Sequence, residues 1–340
     1  MFCGLCLRRS RNESRSSAET GGLETARKSS FASSATTLRS GKVPEALGDP
    51  EKGIAPMADP TDMSAGRKAV DFLILGAGWT SIFLIPALKD AGISYAATST
   101  TGHDGTIPLR FDPDSADRKQ FEILPAAKTI LITFPLKGIG QSKTITSLYA
   151  EAHPNADVKP RWIQLGSTGV YTNEGWSNHK SPHDKKNARA IAEDELLHIG
   201  NSTVLNLAGL YDDEIRRPQN WVSRVAKTKA DVKGKQSLHL IHGKDVARGI
   251  VACHENFDAV KGQRWILTDL FSYDWWALLQ AWGGKLEDGS DVREIVLEIM
   301  LEEDVNALTR TTGRIGRALD SRDFWKAVKT VPREGSIYHK

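Results

Sequence analysis

The rhythm of apolar and polar positions changes abruptly near residue 68. Before it no period of two or of 3.6 residues can be traced; after it, short apolar runs alternate with helical patterns. The first run, Ala69-Val-Asp-Phe-Leu-Ile-Leu75, reads as a buried strand that ends in Gly76-Ala-Gly-Trp-Thr-Ser81. A helix is expected over 82–91, stopped by Gly92, with Pro86 near enough to its start to be tolerated. Further strands are expected at 94–99, 109–111, 129–134, 162–165 and 204–207, with helices over 142–152 and 188–198 between them. Beyond these come strands at 238–241 and 264–268 and helices over 244–255 and 273–282. Strand and helix in alternation predict an α/β fold with a doubly wound parallel sheet.

Residues 1–66 form a separate stretch, and Met1 to Lys42 holds eight Lys/Arg, three Glu and nine Ser. Such a composition buries too little apolar surface to offset ordering, so a disordered leader is expected. A transit peptide, an acylation site at Cys3 and Cys6 beside Arg8, Arg9 and Arg11, or a working start at Met57 or Met63 are the alternatives. The expected location is cytoplasmic, or mitochondrial or membrane-associated if the leader acts as an address. A net charge of +3, from 45 basic and 42 acidic residues, argues against a nucleic-acid partner. No run of 18 apolar residues exists, so no transmembrane segment is expected. Three cysteines, Cys3, Cys6 and Cys253, make neither a disulfide framework nor a metal site.

The chemistry concentrates at the glycine turn. Gly76-x-Gly78-x-x-Ser81 follows a strand and opens a helix, the context in which this spacing binds dinucleotides. Gly76 permits the sharp turn, and Gly78 removes a side chain where a diphosphate must approach the backbone. The free N–H groups after it, around Trp79 and Thr80, face the phosphates, and the Ser81 hydroxyl is in reach of one. NAD usually has its adenine ribose gripped by an acidic residue about 20 positions on. Here that strand ends in Thr98-Ser99-Thr100-Thr101, without a carboxylate. NADP is therefore favoured, with NAD the alternative.

Taken together, five segments resemble the extended short-chain dehydrogenase/reductase family, and within it the atypical, NAD(P)-dependent epimerase/dehydratase-like members. They are Gly76-Ala-Gly-Trp-Thr-Ser81, Ile130-Leu-Ile-Thr-Phe-Pro135, Ser167-Thr-Gly-Val-Tyr171, Leu207-Ala-Gly-Leu-Tyr211 and Leu240-Ile-His-Gly-Lys-Asp-Val-Ala247. The resemblance spans about residues 69–330 and implies a Rossmann core over 67–212. An interleaved C-terminal substrate cap with sheet-completing strands would follow over 213–335. It implies that Ser167 holds the substrate's reacting oxygen, that Phe134 and Pro135 line the cofactor, and that Asp112 contacts adenine. Arg216, Arg217 and Asn220 would begin the cap, while His242 and Asp245 would be structural.

The departure from the family is as informative. Its proton donor is a tyrosine followed four residues later by a lysine, and none of the six tyrosines here has that lysine. The helix that should carry the pair reads Lys185-Lys-Asn-Ala-Arg189. Arg189 offers a ribose-side cation; Lys185, Lys186, His183 and Tyr171 are the candidate donors. Trp275, Trp276 and Trp282 read as core-closing aromatics rather than a ligand box. Two functions remain: an oxidoreductase or epimerase-like enzyme on a small carbonyl or hydroxyl substrate, or a non-catalytic NAD(P)-binding regulator or sensor. Either is compatible with a homodimer.

Overall fold

A computed structural model describes residues 68–156 and 159–339. The leader, with its cysteines and candidate starts, lies outside the described residues. Six of the expected strands and a seventh join one sheet: β1 (Val70–Leu75), β2 (Tyr95–Ser99), β3 (Ile107–Pro108), β4 (Ala127–Ile132), β5 (Arg161–Ser167), β6 (Ser202–Leu207) and β7 (Arg264–Leu267). Their order is β7-β6-β5-β4-β1-β2-β3, and every neighbouring pair is parallel. The doubly wound parallel sheet is the one that the alternation predicts. Its order reverses between β1 and β4, and in open α/β sheets the strands' C-terminal ends at such a point are where ligands bind.

Both faces of the sheet are covered, which explains why β1 is unbroken apolar from Phe72 to Leu75 rather than alternating. Phe72 and Ile74 face α1 (Trp79–Asp90) and α4 (Gly243–Glu255), packing with Leu84, Leu88, Val246 and Ile250. Leu73 and Leu75 face the other way, into a cluster with Ile145 and Leu148 of α2 (Gln141–Ala152) and Leu196 of α3 (Ala188–Ile199). Helices α2 and α3 are fastened by Glu195, whose carboxylate accepts the N–H groups of Gly140, Ser142 and Lys143 at 2.8–3.1 Å. A carboxylate there meets unpaired amides and the positive end of the α2 dipole.

Several boundaries differ from expectation for local reasons. Helix α1 begins at Trp79, three residues early, which puts Pro86 in its middle rather than near its start. Pro86 has no N–H to donate to the carbonyl of Ile82, and Ile82 lies on the solvent side, where water can satisfy that group. The third strand falls at 107–108 instead of 109–111. Tyr273 and Asp274 are expected in a helix but pair antiparallel with Ser237 and Leu238. Asp274 then caps the shorter helix α5 (Trp275–Trp282) through the Trp276 N–H. Helix α6 (Val292–Glu302) was not foreseen, although Val292, Ile295, Val296 and Ile299 mark a buried stripe at helical spacing.

The C-terminal third builds its own core, in which Trp275 and Trp276 pack with Tyr211, Leu240, Tyr273, Val296 and Ile337. Short pairings surround it: Gly209–Tyr211 beside Leu240–His242, and Gly175–Ser177 beside Arg317–Leu319, both parallel. Strand β7, from this same stretch, returns to the main sheet beside β6. The last described residues strap across both parts. Arg333 and Glu334 donate their N–H groups to the buried Asp245 carboxylate at 2.8 and 2.9 Å, and Ile337 donates to the Tyr273 hydroxyl. That hydroxyl in turn donates to Asp269 at 2.7 Å.

Burial raises the Asp269 carboxyl to about 7, against the lowering influence of its bonds from Tyr273 and the Phe271 N–H. Between 3.8, its ordinary value, and about 7 the folded chain holds a proton that the unfolded chain has released. This contribution is therefore full below the ordinary value and lost as pH rises through about 7. Relative to Asp269→Asn, the wild type should lose on the order of 1 kcal/mol of stability per pH unit across that window. Urea midpoints measured for both proteins through the window check this; parallel pH profiles would refute it.

Candidate functional site

The site starts where β1 turns into α1. Gly76 adopts φ +95°, and a Cβ there would meet Thr133 Oγ1 at 2.6 Å and the Phe134 ring at 3.1 Å. The turn is tied to both neighbouring strands: Gly76 N–H donates to Thr98 Oγ1 at 3.0 Å, and Thr133 Oγ1 donates to the Gly76 carbonyl at 2.6 Å. Gly78 differs in kind. A Cβ built on it meets nothing within 4 Å, so the space beside it is open. It is the N-cap of α1 and offers no side-chain bond to the first amides, which leaves the helix's positive end uncapped. Thr80 and Ser81 are buried, and Ser81 Oγ has no hydrogen-bond partner among the described residues. Open space, uncapped amides and an orphaned hydroxyl together fit a diphosphate.

At the neighbouring strand ends, Thr98 and Ser99 are already committed. Thr98 holds the Gly76 amide, and Ser99 Oγ bonds Thr106 Oγ1 at 2.7 Å and accepts the Gly102 N–H. Thr100 is exposed. The Asp112 carboxylate is exposed and accepts the N–H of Asp114. Phe134 stacks on Phe111 at 5.9 Å, forming an aromatic ledge beside the turn, and Pro135 is exposed next to it.

Ser167 ends β5 half-buried, its Oγ accepting the N–H of Gly169. Tyr171 lies elsewhere in environment: only 1% exposed, it packs with Val170, Ala190, Ile266 and Leu319. Burial pushes its hydroxyl up to about 12, although Arg264 pulls the other way. That hydroxyl has no hydrogen-bond partner among the described residues. Lys185 is exposed in the turn before α3, and Arg189 is half-buried in the first turn of that helix, where its N–H meets the capping Asn187 side chain.

Below Ser167 runs a buried polar network invisible to local sequence reading. Arg264 Nε donates to Glu193 at 2.8 Å, and Arg264 Nη2 donates to Asp194 at 3.1 Å and to the Ala190 carbonyl. His183 Nε2 lies 2.9 Å from Arg264 Nη1 and 3.1 Å from Asp194 Oδ2, which brings the imidazole into the same cluster. Asn206 completes the ring by donating to Glu193. Burial raises the Glu193 carboxyl, with Arg264 opposing it. A Cβ at Gly166 would run into Asn206 Nδ2 and Glu193 Oε1, so glycine is required beside Ser167.

Trp79 connects the turn to the later chain. Its Nε1 donates to Asp212 at 2.6 Å, and the Arg216 guanidinium sits 4.2 Å above its ring. Asp212 also accepts the N–H groups of Glu214 and Arg216, shaping the loop that follows. Beside it, a 490 Å³ cavity gathers Arg216, Arg217, Asn220 and Arg224 around Trp221. Arg224 is the member that sequence reading missed; its spacing from Arg216 and Arg217 carries no motif. A larger cavity of 980 Å³ lies along the seam of α1 and α4 and reaches Asp212 and His242. At its rim Asp213, His242 and Glu334 bring potential ligand atoms within 4.8 Å of one another. His242 Nδ1 accepts the Lys244 N–H, however, leaving the ring proton on Nε2, the nitrogen that faces Asp213 at 3.5 Å. The imidazole is thus set to donate rather than to bind a cation. As the sequence suggests, His242 caps α4 and Asp245 anchors backbone.

No protein-family model matches the chain. No curated protein matches it either. Solved structures do match in fold. A UDP-N-acetylglucosamine 4-epimerase from Bacillus cereus has a TM-score of 0.52 at 12% identity, covering 79% of this chain and 96% of that one. An NAD-dependent epimerase/dehydratase from Methylobacillus flagellatus gives 0.50 at 16% identity over 76% and 91% of the two chains. A human epimerase family protein, in a structure with NADPH, gives 0.50 at 12% identity over 78% and 96%. At these identities the likeness is one of fold, and it is the fold that the five sequence segments imply.

The network under Ser167 makes a strong demand on its partners. Removing the cation in Arg264→Leu leaves Glu193 charged and buried, and should cost about 3–5 kcal/mol in urea unfolding. Adding Glu193→Gln to that variant should recover much of the loss, because the stranded charge is gone. Equal instability of the single and double variants would contradict this account.

Proposed function

We propose that this chain is an NAD(P)-binding protein of the short-chain dehydrogenase/reductase type, acting as an oxidoreductase or epimerase-like enzyme on a small carbonyl or hydroxyl compound. The carrying observation is the open space at Gly78 in front of the uncapped N-terminus of α1, at the point where strand order reverses. In this reading residues 67–212 hold the cofactor and 213–335 supply the cap. The Gly76–Ser81 turn takes the diphosphate, the Phe134–Pro135 ledge lines the nicotinamide half, and Thr98–Thr100 and Asp112 border the adenosine half. NADP is favoured over NAD because no carboxylate ends β2 to repel a 2′-phosphate.

The bound nicotinamide would supply or accept a hydride. Ser167 would hold the reacting oxygen, Lys185 would give or take its proton, and Arg189 would be the ribose-side cation. Arg216, Arg217 and Asn220 would meet the substrate's far end. A second reading, an NAD(P)-binding sensor without turnover, is favoured by one observation: the hydroxyl of Tyr171, the one tyrosine among the candidate donors, is sealed in the core.

The test uses the full chain with NADPH and NADH in thermal unfolding. Ligand at about a hundred times its Kd should stabilise the protein by about 2.7 kcal/mol. Gly78→Val should reduce that affinity roughly tenfold or more by filling the phosphate approach. Its backbone lies at φ −96° and its surroundings are open, so the fold should be undisturbed. An unchanged affinity in this variant would end the proposal. With binding established, turnover of a carbonyl panel that falls at least about a hundredfold in Ser167→Ala selects the enzyme. Binding without any turnover selects the sensor.

A further inference from the structure

Five non-glycine residues among those described have positive φ: Asp104, Asn201, Leu270, Asp304 and Lys329. Asp and Asn tolerate that conformation because their short polar side chains bond locally. Leu270 (φ 70°) and Lys329 (φ 57°) have no such excuse, and both border one depression of 560 Å³. Strain of this kind persists where the surroundings impose it and points to a use for the side chain.

The loop from Thr268 to Ser272 is built so that its polar groups turn inward. Leu270 N–H donates to Thr268 Oγ1 and Phe271 N–H to Asp269 Oδ1, each at 3.0 Å. Thr268 Oγ1 is held in turn by Ser321, and Asp269 by Tyr273. Asp269 N–H donates to the Leu240 carbonyl, so the amides at the loop's tip, 269–271, are all engaged there. Leu270 is 47% exposed, Phe271 44% and nearby Val331 54%. Around them stand Arg322, Lys326, Lys329 and Arg333. Arg322, Lys326 and Lys329 fall at spacings of four and three, on one side of the Arg322–Ala327 helix and the turn beyond it. Arg322 is paired with Asp320, while no ion pair engages Lys326, Lys329 or Arg333 among the described residues.

We propose that this surface docks on an anionic lipid bilayer, with Leu270, Phe271 and Val331 entering the headgroup boundary and the four cations meeting lipid phosphates and carboxylates. Apolar tips ringed by Lys and Arg are what such a surface reads: burial of the tips adds to attraction for each cation near the membrane. A peptide strand would instead need main-chain donors, and the amides of Asp269, Leu270 and Phe271 at the tip are already engaged. The surface is separate from the Gly76–Ser81 turn and does not depend on the function proposed for it.

The test is flotation of the full chain with vesicles of pure phosphatidylcholine, or of phosphatidylcholine with about 30% phosphatidylserine, at about 0.1 M salt. Partitioning should rise roughly tenfold or more with phosphatidylserine, and Lys326→Glu/Lys329→Glu should remove most of that rise. Leu270→Gly should weaken binding several-fold while its thermal midpoint stays equal to or above that of the wild type, because glycine relieves the left-handed backbone. Loss of binding in a protein at least as stable cannot be ascribed to unfolding. Since the leader's basic residues are the same in every variant, wild-type binding by both variants would assign the attraction to the leader and overturn the proposal. Equal binding to both kinds of vesicle would overturn it too. Capture on poly-L-glutamate with vesicles left unbound would replace the bilayer with an acidic protein partner.

Discussion

One constraint orders the rest of the molecule: the chain must reverse direction between β1 and α1 within three residues while staying hydrogen-bonded to the strands on both sides. Gly76 meets it with a left-handed backbone that leaves no room for a side chain against Thr133. Thr98 from one neighbour and Thr133 from the other clamp its amide and carbonyl. The clamp fixes where α1 begins and how it points, and hence which residues of α4 it meets. It also fixes the aim of the uncapped amides at the strand ends. A single main-chain conformation thus sets both the packing of one face of the sheet and the electrostatics at the strand ends.

Away from the turn, buried carboxylates tie the fold together. Glu193 meets Arg264, Asp274 meets Arg310, Asp245 takes two strap amides, and Asp269 takes Tyr273. All but the Asp269–Tyr273 contact link segments at least 36 residues apart in sequence. Buried pairs of this sort return little net stability, because desolvation offsets most of the attraction. Their value lies in selection: a misplaced strap or cap strands a charge in the core, so few alternative arrangements of comparable energy survive.

The sequence made the sheet legible because covered parallel strands are written as unbroken apolar runs, as in Phe72 to Leu75, and because Gly76 ends the first of them. It placed the start of α1 late because the N-cap is Gly78, which carries no capping side chain to announce a helix. Tyr273 and Asp274 read as helical from their neighbours, and only pairing with Ser237 and Leu238 makes them a strand. Much of the surroundings of the site residues was beyond local reading for the same reason. Tyr171 is sealed by Ile266 and Leu319, and Trp79 is held by Asp212, 133 positions away. Motif spacing identifies which residues sit at a strand end; it says nothing about what a distant segment lays over them.

The strap has a consequence for the order in which the protein can be made. Its amides at Arg333, Glu334 and Ile337 complete the hydrogen bonding of Asp245 and Tyr273, groups that are synthesised 60 or more residues earlier. While the ribosome is still working toward residue 337, those groups belong to a half-finished interior open to water. The sheet from β1 to β6 can mature during translation, but the second core must wait. The nascent chain therefore passes through a stage with a formed parallel sheet and an unsealed aromatic interior, the stage at which chaperones would find the most to hold.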